Sequence, residues 1–352
     1  MDCGLCNRRG LPESIRDVDH LEDLMSTPSD GVIETLGRLD GDIIVLGAGG
    51  KMGPSLSRMA RRASDAAGVK RRVIAVSRFS SEESVSMLQS HGVETVRADL
   101  LNEEELKSLP DAQNVVFMVG MKFGSSQQQA LTWAMNAYLP GLVCQRYAKS
   151  RMVAFSSGNV YGMTPICRGG SIESDSLNPV GEYAMSVLAR ERVFEHFSLS
   201  CGIPTALIRL NYSVEMRYGV LVDLALKVFE GQPVDVTMGN ANLIWQADAN
   251  AMTLQSFDRV SSPPFVLNVT GPEMVSIRQA AQDFAEIMGK PLTITGTECQ
   301  EALIGNAQLC HSLFGYPKVP VRQMIRWIAD WVARGGESLG KPTHYEVSDG
   351  KY

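Results

Sequence analysis

The sequence predicts an α/β protein, with a doubly wound parallel sheet and a smaller C-terminal α+β lobe. Three observations lead there. Short β-branched apolar runs alternate with helical stretches six times, the first run ends in a glycine cluster, and the alternation loosens after residue 211. Alternation of this kind builds βαβ units, whose strands lie parallel and are covered by helices on both faces.

Residues 1–40 are polar with a weak helical pattern, as in DVDHLEDLM and GVIETLGRL, and are read as an N-terminal helical appendage. Gly41-Asp42 then turns into IIVLGAGG. Buried strands are predicted at 43–46, 73–77, 94–97, 114–119, 152–156 and 205–210. Helices are expected near 53–67, 81–91, 103–108, 125–149 and 182–201. Residues 41–210 thus form one domain. Residues 211–352 form a second lobe, with segments near 240–270 returning to the first. In that lobe a helix near 219–230 leading through GQP into PVDVTMG, a return strand at 264–271 and helices at 276–289 and 320–334 precede a polar tail. Trp327 and Trp331, spaced i,i+4, are read as core packing.

Composition narrows the function classes. The chain of 352 residues is 44% apolar and 20% charged, with a net charge of −6, as expected of a soluble protein with a sizeable core. No basic face argues for nucleic acid. No apolar run approaches the ~18 residues of a membrane span. Acidic and polar residues follow the N-terminal arginine pair where a secretion signal needs an apolar stretch, so a cytoplasmic protein is expected. Seven cysteines, mostly in apolar segments, fit reduced thiols. Cys3 and Cys6 form a CxxC with no second pair of ligands, so no metal is expected and both are read as exposed thiols of a mobile tail.

The segment IIVLGAGGKMGPSL places Gly47, Gly49, Gly50 and Gly53 where the first strand turns into a helix. Glycines permit the tight turn and let the backbone approach a pyrophosphate. The helix opening near Met52 offers free N–H groups to phosphate oxygens, with Lys51 beside them. This is the signature of a Rossmann-type dinucleotide site. At the end of the second strand, Ser77 and Arg78 stand where a carboxylate would accept the ribose hydroxyls of NAD. A guanidinium there pairs with a 2′-phosphate, so NADP is favoured over NAD. Asp99 and Leu100, after the third strand, are placed at the adenine edge.

Further motifs extend the pattern: ADL at 98–100, NVVFMVG at 114–120, Asn136, FSSGNVYG at 155–162, GEYAMS at 181–186 with Glu191, ALIRLN at 206–211, ADANA at 247–251 and LNVTGPE at 267–273. In order and spacing the chain resembles the extended short-chain dehydrogenase/reductases, the NAD(P)-dependent epimerase/dehydratase group that acts largely on sugars and nucleotide sugars. The resemblance implies that Gly120 and Asn136 belong to the cofactor site and that Asn159 and Asn211 face substrate. It implies further that Ser157 holds the reacting oxygen while Tyr183 moves its proton. A homodimer formed through the helices near 125–149 and 182–201 is also implied.

One landmark is missing. Val187 stands four residues after Tyr183, where this family carries lysine. Aligning Asn178-Pro179-Val180-Gly181 on the family's tyrosine motif would lose the tyrosine as well. Ser186 before the lysine position and Glu191 four residues after it favour Tyr183. A phenol of ordinary pKa near ~10 is only about 0.1% ionised at pH 7, and a nearby ammonium favours its ionised form. Lys122, just past the fourth strand, is the hypothesised surrogate. Only Leu210 separates Arg209 from Asn211, one residue fewer than is usual in the family, and Arg217 is a candidate for an anionic group of the substrate. The resulting reading is an NAD(P)-dependent oxidoreductase or epimerase acting on a sugar-like alcohol or ketone. The competing class is a cofactor-binding sensor or scaffold without turnover.

Overall fold

A computed structural model of the chain describes residues 10–351. Its centre is a sheet of β1 (Ile43–Leu46), β2 (Val73–Ser77), β3 (Glu94–Arg97), β4 (Asn114–Phe117), β5 (Arg151–Ser157), β6 (Thr205–Leu210) and β7 (Phe265–Val269). These seven strands are all parallel, in the order 3-2-1-4-5-6-7. The short apolar runs become strands because both faces of the sheet are covered. Along β1, Ile43 and Val45 enter one core cluster, while Ile44 and Leu46 enter the other. The strand order reverses between β1 and β4, which opens a crevice at their carboxyl ends.

Two short helices precede the sheet. In α1 (Val18–Ser26) and α2 (Asp30–Arg38), the side chains of Asp17 and Ser29 accept from the N–H groups of His20 and Val32, capping helices too short to persist alone. Their stripes of Leu21, Met25, Val32 and Leu36 are buried in the same cluster as Leu56 and Met59 of α3 (Gly53–Ala66). The helices α4 (Glu82–Ser90) and α5 (Glu103–Ser108) follow β2 and β3.

The helix expected across 125–149 is interrupted. It divides into α6 (Gln129–Trp133), a π-helical turn at Ala134–Tyr138 and α7 (Leu139–Arg146). Pro140 explains the break, because it has no N–H for the carbonyl of Asn136 four residues earlier. Arg190 donates Nε to that carbonyl at 3.3 Å. Arg190 belongs to α8 (Gly181–Cys201), the long helix between β5 and β6.

The remaining helices are α9 (Val220–Phe229), α10 (Gln246–Gln255), α11 (Ile277–Met288), α12 (Gln308–Phe314) and α13 (Val321–Ala333). All of α10 is buried, so it has no polar face, and periodicity gives no sign of a helix there. Trp327 and Trp331 are buried on α13, and the Trp327 ring meets Trp245 edge-on with centroids 5.6 Å apart. After α13 the tail returns over the molecule. Thr343 donates its N–H and hydroxyl to Asp223 of α9, at 2.8 and 2.5 Å. Gly350 then meets the start of α8, where a Cβ on it would stand 2.3 Å from the Val180 carbonyl oxygen. Cys3 and Cys6 lie outside the described residues. Among the described residues no cluster of metal-ligating side chains occurs, and no helix is long and apolar enough to cross a membrane.

Candidate active site

The glycine turn is packed too tightly for side chains. Gly47 has φ +89°, and a Cβ there would stand 2.9 Å from the Val119 nitrogen. A Cβ on Gly53 would come within 2.4 Å of the Ala48 carbonyl oxygen, so α3 begins hard against the end of β1. Gln246 and Asn250 of α10 both donate to Ser55 Oγ at 2.9 Å and hold the first turn of α3. The bare turn opening directly into a helix N-terminus fits a dinucleotide pyrophosphate.

This turn forms one wall of a cleft of about 1230 Å³, lined by Gly47, Gly50, Lys51, Met52, Gly53, Gly120, Lys122, Ser157, Asn159, Tyr183, Asn211 and Arg217 among others. Twelve of the sequence-predicted site residues therefore share one space. Ser157 ends β5, its Oγ 3.1 Å from Asn159 Oδ1 and accepting from the Asn159 N–H at 3.2 Å. Asn211 packs over Gly158, where a Cβ would collide with its Oδ1, and it donates to the Leu303 carbonyl at 3.5 Å. Tyr212, also on the wall, takes φ +27°, an uncommon setting for a bulky residue.

Val187 lies on the same face of α8 as Tyr183, but it is fully buried with Val160 and Tyr161. Its surroundings are filled by apolar packing. One turn further on, Arg190 brings a different cation to the wall. Its guanidinium donates to the Phe155 carbonyl and to Asn136 Oδ1, both at 2.8 Å, and among the described residues it forms no salt bridge, Glu191 being paired with Arg209. Burial lowers its pKa to about 10, against the charges of Tyr183 and Glu191, so it is charged at pH 7. Gly120 makes room for it, since a Cβ there would stand 2.8 Å from Nη2.

Behind the cleft, Glu191 and Arg209 form a buried two-oxygen ion pair at 2.9 and 2.7 Å. Ser156 donates to the same carboxylate, and Arg209 donates to Tyr161 Oη at 2.8 Å, which in turn donates to Asn268 Oδ1 at 2.7 Å. Burial acts against the Arg209 charge, but bonding to Glu191 outweighs it and its pKa rises. This network ties the ends of β5, β6 and β7 to α8, fixing the relative positions of Ser157 and Tyr183.

Lys122 sets its ammonium 5.7 Å from the centroid of the Tyr183 ring, and burial lowers its pKa to about 8. Arg217 is differently placed. It binds Glu22 of α1 at 2.6 Å and Glu215 at 3.1 Å, so its charge is answered within the protein rather than held for an anionic substrate. Ser77, Arg78, Asp99, Leu100 and Asn136 do not line the cleft. Ser77 Oγ accepts from Phe79 N–H, Arg78 is exposed, and Asp99 closes a local turn by accepting from Leu101 N–H. Leu100 is core. Asn136 is completely buried, donating to the Met121 carbonyl and Ser186 Oγ and accepting from the Met121 N–H.

The sequence reading missed Arg190, Tyr218 and the tail residues Leu339, Lys341 and Thr343, all on the cleft wall. Arg190 had a signal, since residues 183, 187 and 190 share one helical face. The tail had none, lacking any periodic pattern.

Residues 43–217 match the sequence model of the NAD dependent epimerase/dehydratase family. A search of curated protein sequences found no match. Among solved structures, the chain is similar to MoeE5 in complex with UDP-glucose and NAD, at 20% identity and a TM-score of 0.65, covering 83% of this chain and 99% of that one. It is similar to UDP-glucuronic acid 4-epimerase from Bacillus cereus in complex with UDP-glucuronic acid and NAD, at 17% identity and a TM-score of 0.68, covering 83% and 99%. It is also similar to dTDP-glucose 4,6-dehydratase from Bacillus anthracis in complex with NAD, at 15% identity and a TM-score of 0.70, covering 84% and 97%. At these identities the likeness carries the fold. With the family match over the dinucleotide-binding half, the chain belongs to the NAD dependent epimerase/dehydratase family, a family of enzymes.

Proposed function

We propose that the chain is an NAD(P)-dependent oxidoreductase, epimerase or dehydratase acting on a sugar, a nucleotide sugar or a related acid. The observation that carries this reading is the sharing of one cleft by the glycine turn, Ser157, Tyr183 and Lys122. When bound, the dinucleotide supplies hydride chemistry at its nicotinamide. The turn at Gly47–Gly53 and the N-terminus of α3 receive its phosphates. Ser157 Oγ holds the reacting oxygen, and the Tyr183 phenol gives or takes the proton on that oxygen. Lys122 supplies the positive charge that Val187 cannot. Asn136 and Arg190 brace the loop at Gly120 and Met121 from behind.

Arg78 is the feature favouring NADP, whereas the three solved relatives hold NAD. A homodimer fits the exposure of Leu131, Trp133, Tyr138 and Met185, whose apolar side chains cluster on α6, the π-turn and α8. The apolar burial of Val187 is what favours the second reading, a dinucleotide-binding protein without turnover.

Calorimetric titration with NAD and NADP tests the reading first, and no heat with either form would end it. Product analysis of candidate sugars by NMR comes next, because an epimerase that regenerates its dinucleotide gives no net absorbance change. Binding without any product across neutral sugars, sugar acids and nucleotide sugars favours the silent protein.

A further inference from the structure

We propose that Lys51, Lys122 and Lys341 form an anion subsite for a carboxylate or phosphoryl group carried on the reacting sugar itself. This rests on the sugar-enzyme reading above and adds the charge of the substrate to it.

The three lysines come from separate segments, the glycine turn, the loop after β4 and the C-terminal tail, yet they line one cleft. The Lys51 ammonium lies 3.1 Å from the Tyr218 ring centroid and 4.7 Å from that of Phe123. The Lys122 ammonium lies 5.8 Å from the same Phe123 ring, so two cations flank one aromatic group. Among the described residues neither Lys51 nor Lys341 joins an ion pair, whereas Arg217 on the same wall is bound by two carboxylates.

The electrostatic consequence is visible at Lys51. Burial, then the charges of Lys341 and Lys122, lower its pKa to about 7. Asp223 and Glu215 face it and pull the other way, but Asp223 already accepts two hydrogen bonds from Thr343 and Glu215 is bound to Arg217. An arriving anion restores the missing counter-charge. Its position is set by Lys122, whose ammonium is 5.7 Å from the Tyr183 ring centroid, so the anion sits at the reacting end of the substrate. A carboxylate and a phosphoryl group both satisfy this chemistry.

The test is calorimetric titration of the full chain, with and without saturating NAD, using glucuronate, glucose 6-phosphate and glucose as probes. At least one anionic sugar is expected to bind about tenfold or more tightly than glucose, and K51M and K341M each to erase that preference. Whichever of glucuronate and glucose 6-phosphate binds better identifies the group. Near pH 8, binding to the wild type is expected to take up about one proton, read from its dependence on buffer ionisation enthalpy. K51R is expected to retain the preference and to reduce the uptake to the part that Lys122, with its pKa of about 8, contributes, since a guanidinium stays protonated. Lys341 is exposed in the tail, so K341M tests the subsite without touching the core. Equal binding of anionic and neutral sugars overturns the proposal. So does an anion preference that survives K51M while NAD binding weakens, which assigns Lys51 to the cofactor. No heat with NAD or NADP removes the dinucleotide reading, and the sugar titrations still decide the subsite.

Discussion

The ammonium of Lys122 stands 5.7 Å from the centroid of the Tyr183 ring, while Val187, one helical turn along from that tyrosine, is fully buried. A cation thus reaches the tyrosine from a loop, in addition to the Arg190 guanidinium on its own helix. Lys122→Met is expected to lower kcat/KM by about 100-fold, the usual scale for losing a group that assists proton transfer. Dinucleotide affinity should be little changed. Burial puts the Lys122 pKa at about 8, so wild-type turnover should fall as pH rises through 8. In Lys122→Arg that decline should vanish. Steady-state rates from pH 6 to 9 check both statements.

A lysine at position 187 is expected to cost stability without raising turnover. Val187→Lys places an ammonium among Val160, Tyr161 and Leu177, in a pocket that an apolar side chain fills completely. A loss of about 2–4 kcal/mol in stability is expected, from overpacking and from burying an unpaired charge. Urea unfolding of the variant measures it, and no gain in turnover should accompany it.

The ion pair of Glu191 and Arg209 holds the strand ends behind Ser157. Glu191→Gln leaves a buried guanidinium without its anion, and about 3–5 kcal/mol of stability should be lost. Chemical denaturation gives the value. Replacing both partners with apolar residues of similar volume is expected to cost less than Glu191→Gln alone.

The depressed pKa of Lys51 also makes a statement about stability. Its value of about 7 in the folded protein lies below the ordinary 10.5, so between those pH values the unfolded chain binds more protons. Stability contributed by this site therefore rises as pH increases from 7, and the penalty is fully present below it. Comparing the wild type with Lys51→Met isolates the effect from other titrating groups. The difference in unfolding free energy between the two should change in favour of the wild type from pH 6.5 to 8.5.

The apolar residues exposed on α6 and α8 predict self-association. Leu131 and Met185 are 42% and 46% exposed. The paired change Leu131→Asp and Met185→Glu should convert a dimer to a monomer with an unchanged fold, as read by sedimentation velocity and circular dichroism.

Much of this was legible in the chain. The strand β1 and the turn at Gly47–Gly53 follow from local chemistry, since a β-branched run has one good conformation on a doubly covered sheet and only glycine fits the turn. Ser157 and Tyr183 are legible in part, the first at the end of an apolar strand run and the second in the first turn of the long helix that follows. Less regular parts were not legible. The buried helix α10 lacks an amphipathic face, and the break at Asn136 depends on Pro140 together with a guanidinium from another helix.

By itself the sequence determined the alternating α/β order, the glycine turn, and the placement of Ser157 at a strand end and of Tyr183 and Val187 one turn apart on one helix. Each of these depends on neighbours within a few residues, where backbone geometry and side-chain periodicity act directly. Tertiary structure alone decided which charges are available. Arg217 is consumed by Glu22, from a helix some two hundred residues away in the chain. Lys51, Lys122 and Lys341 line one cleft from three separate segments, because burial and charge pairing depend on distances in space that no local pattern encodes.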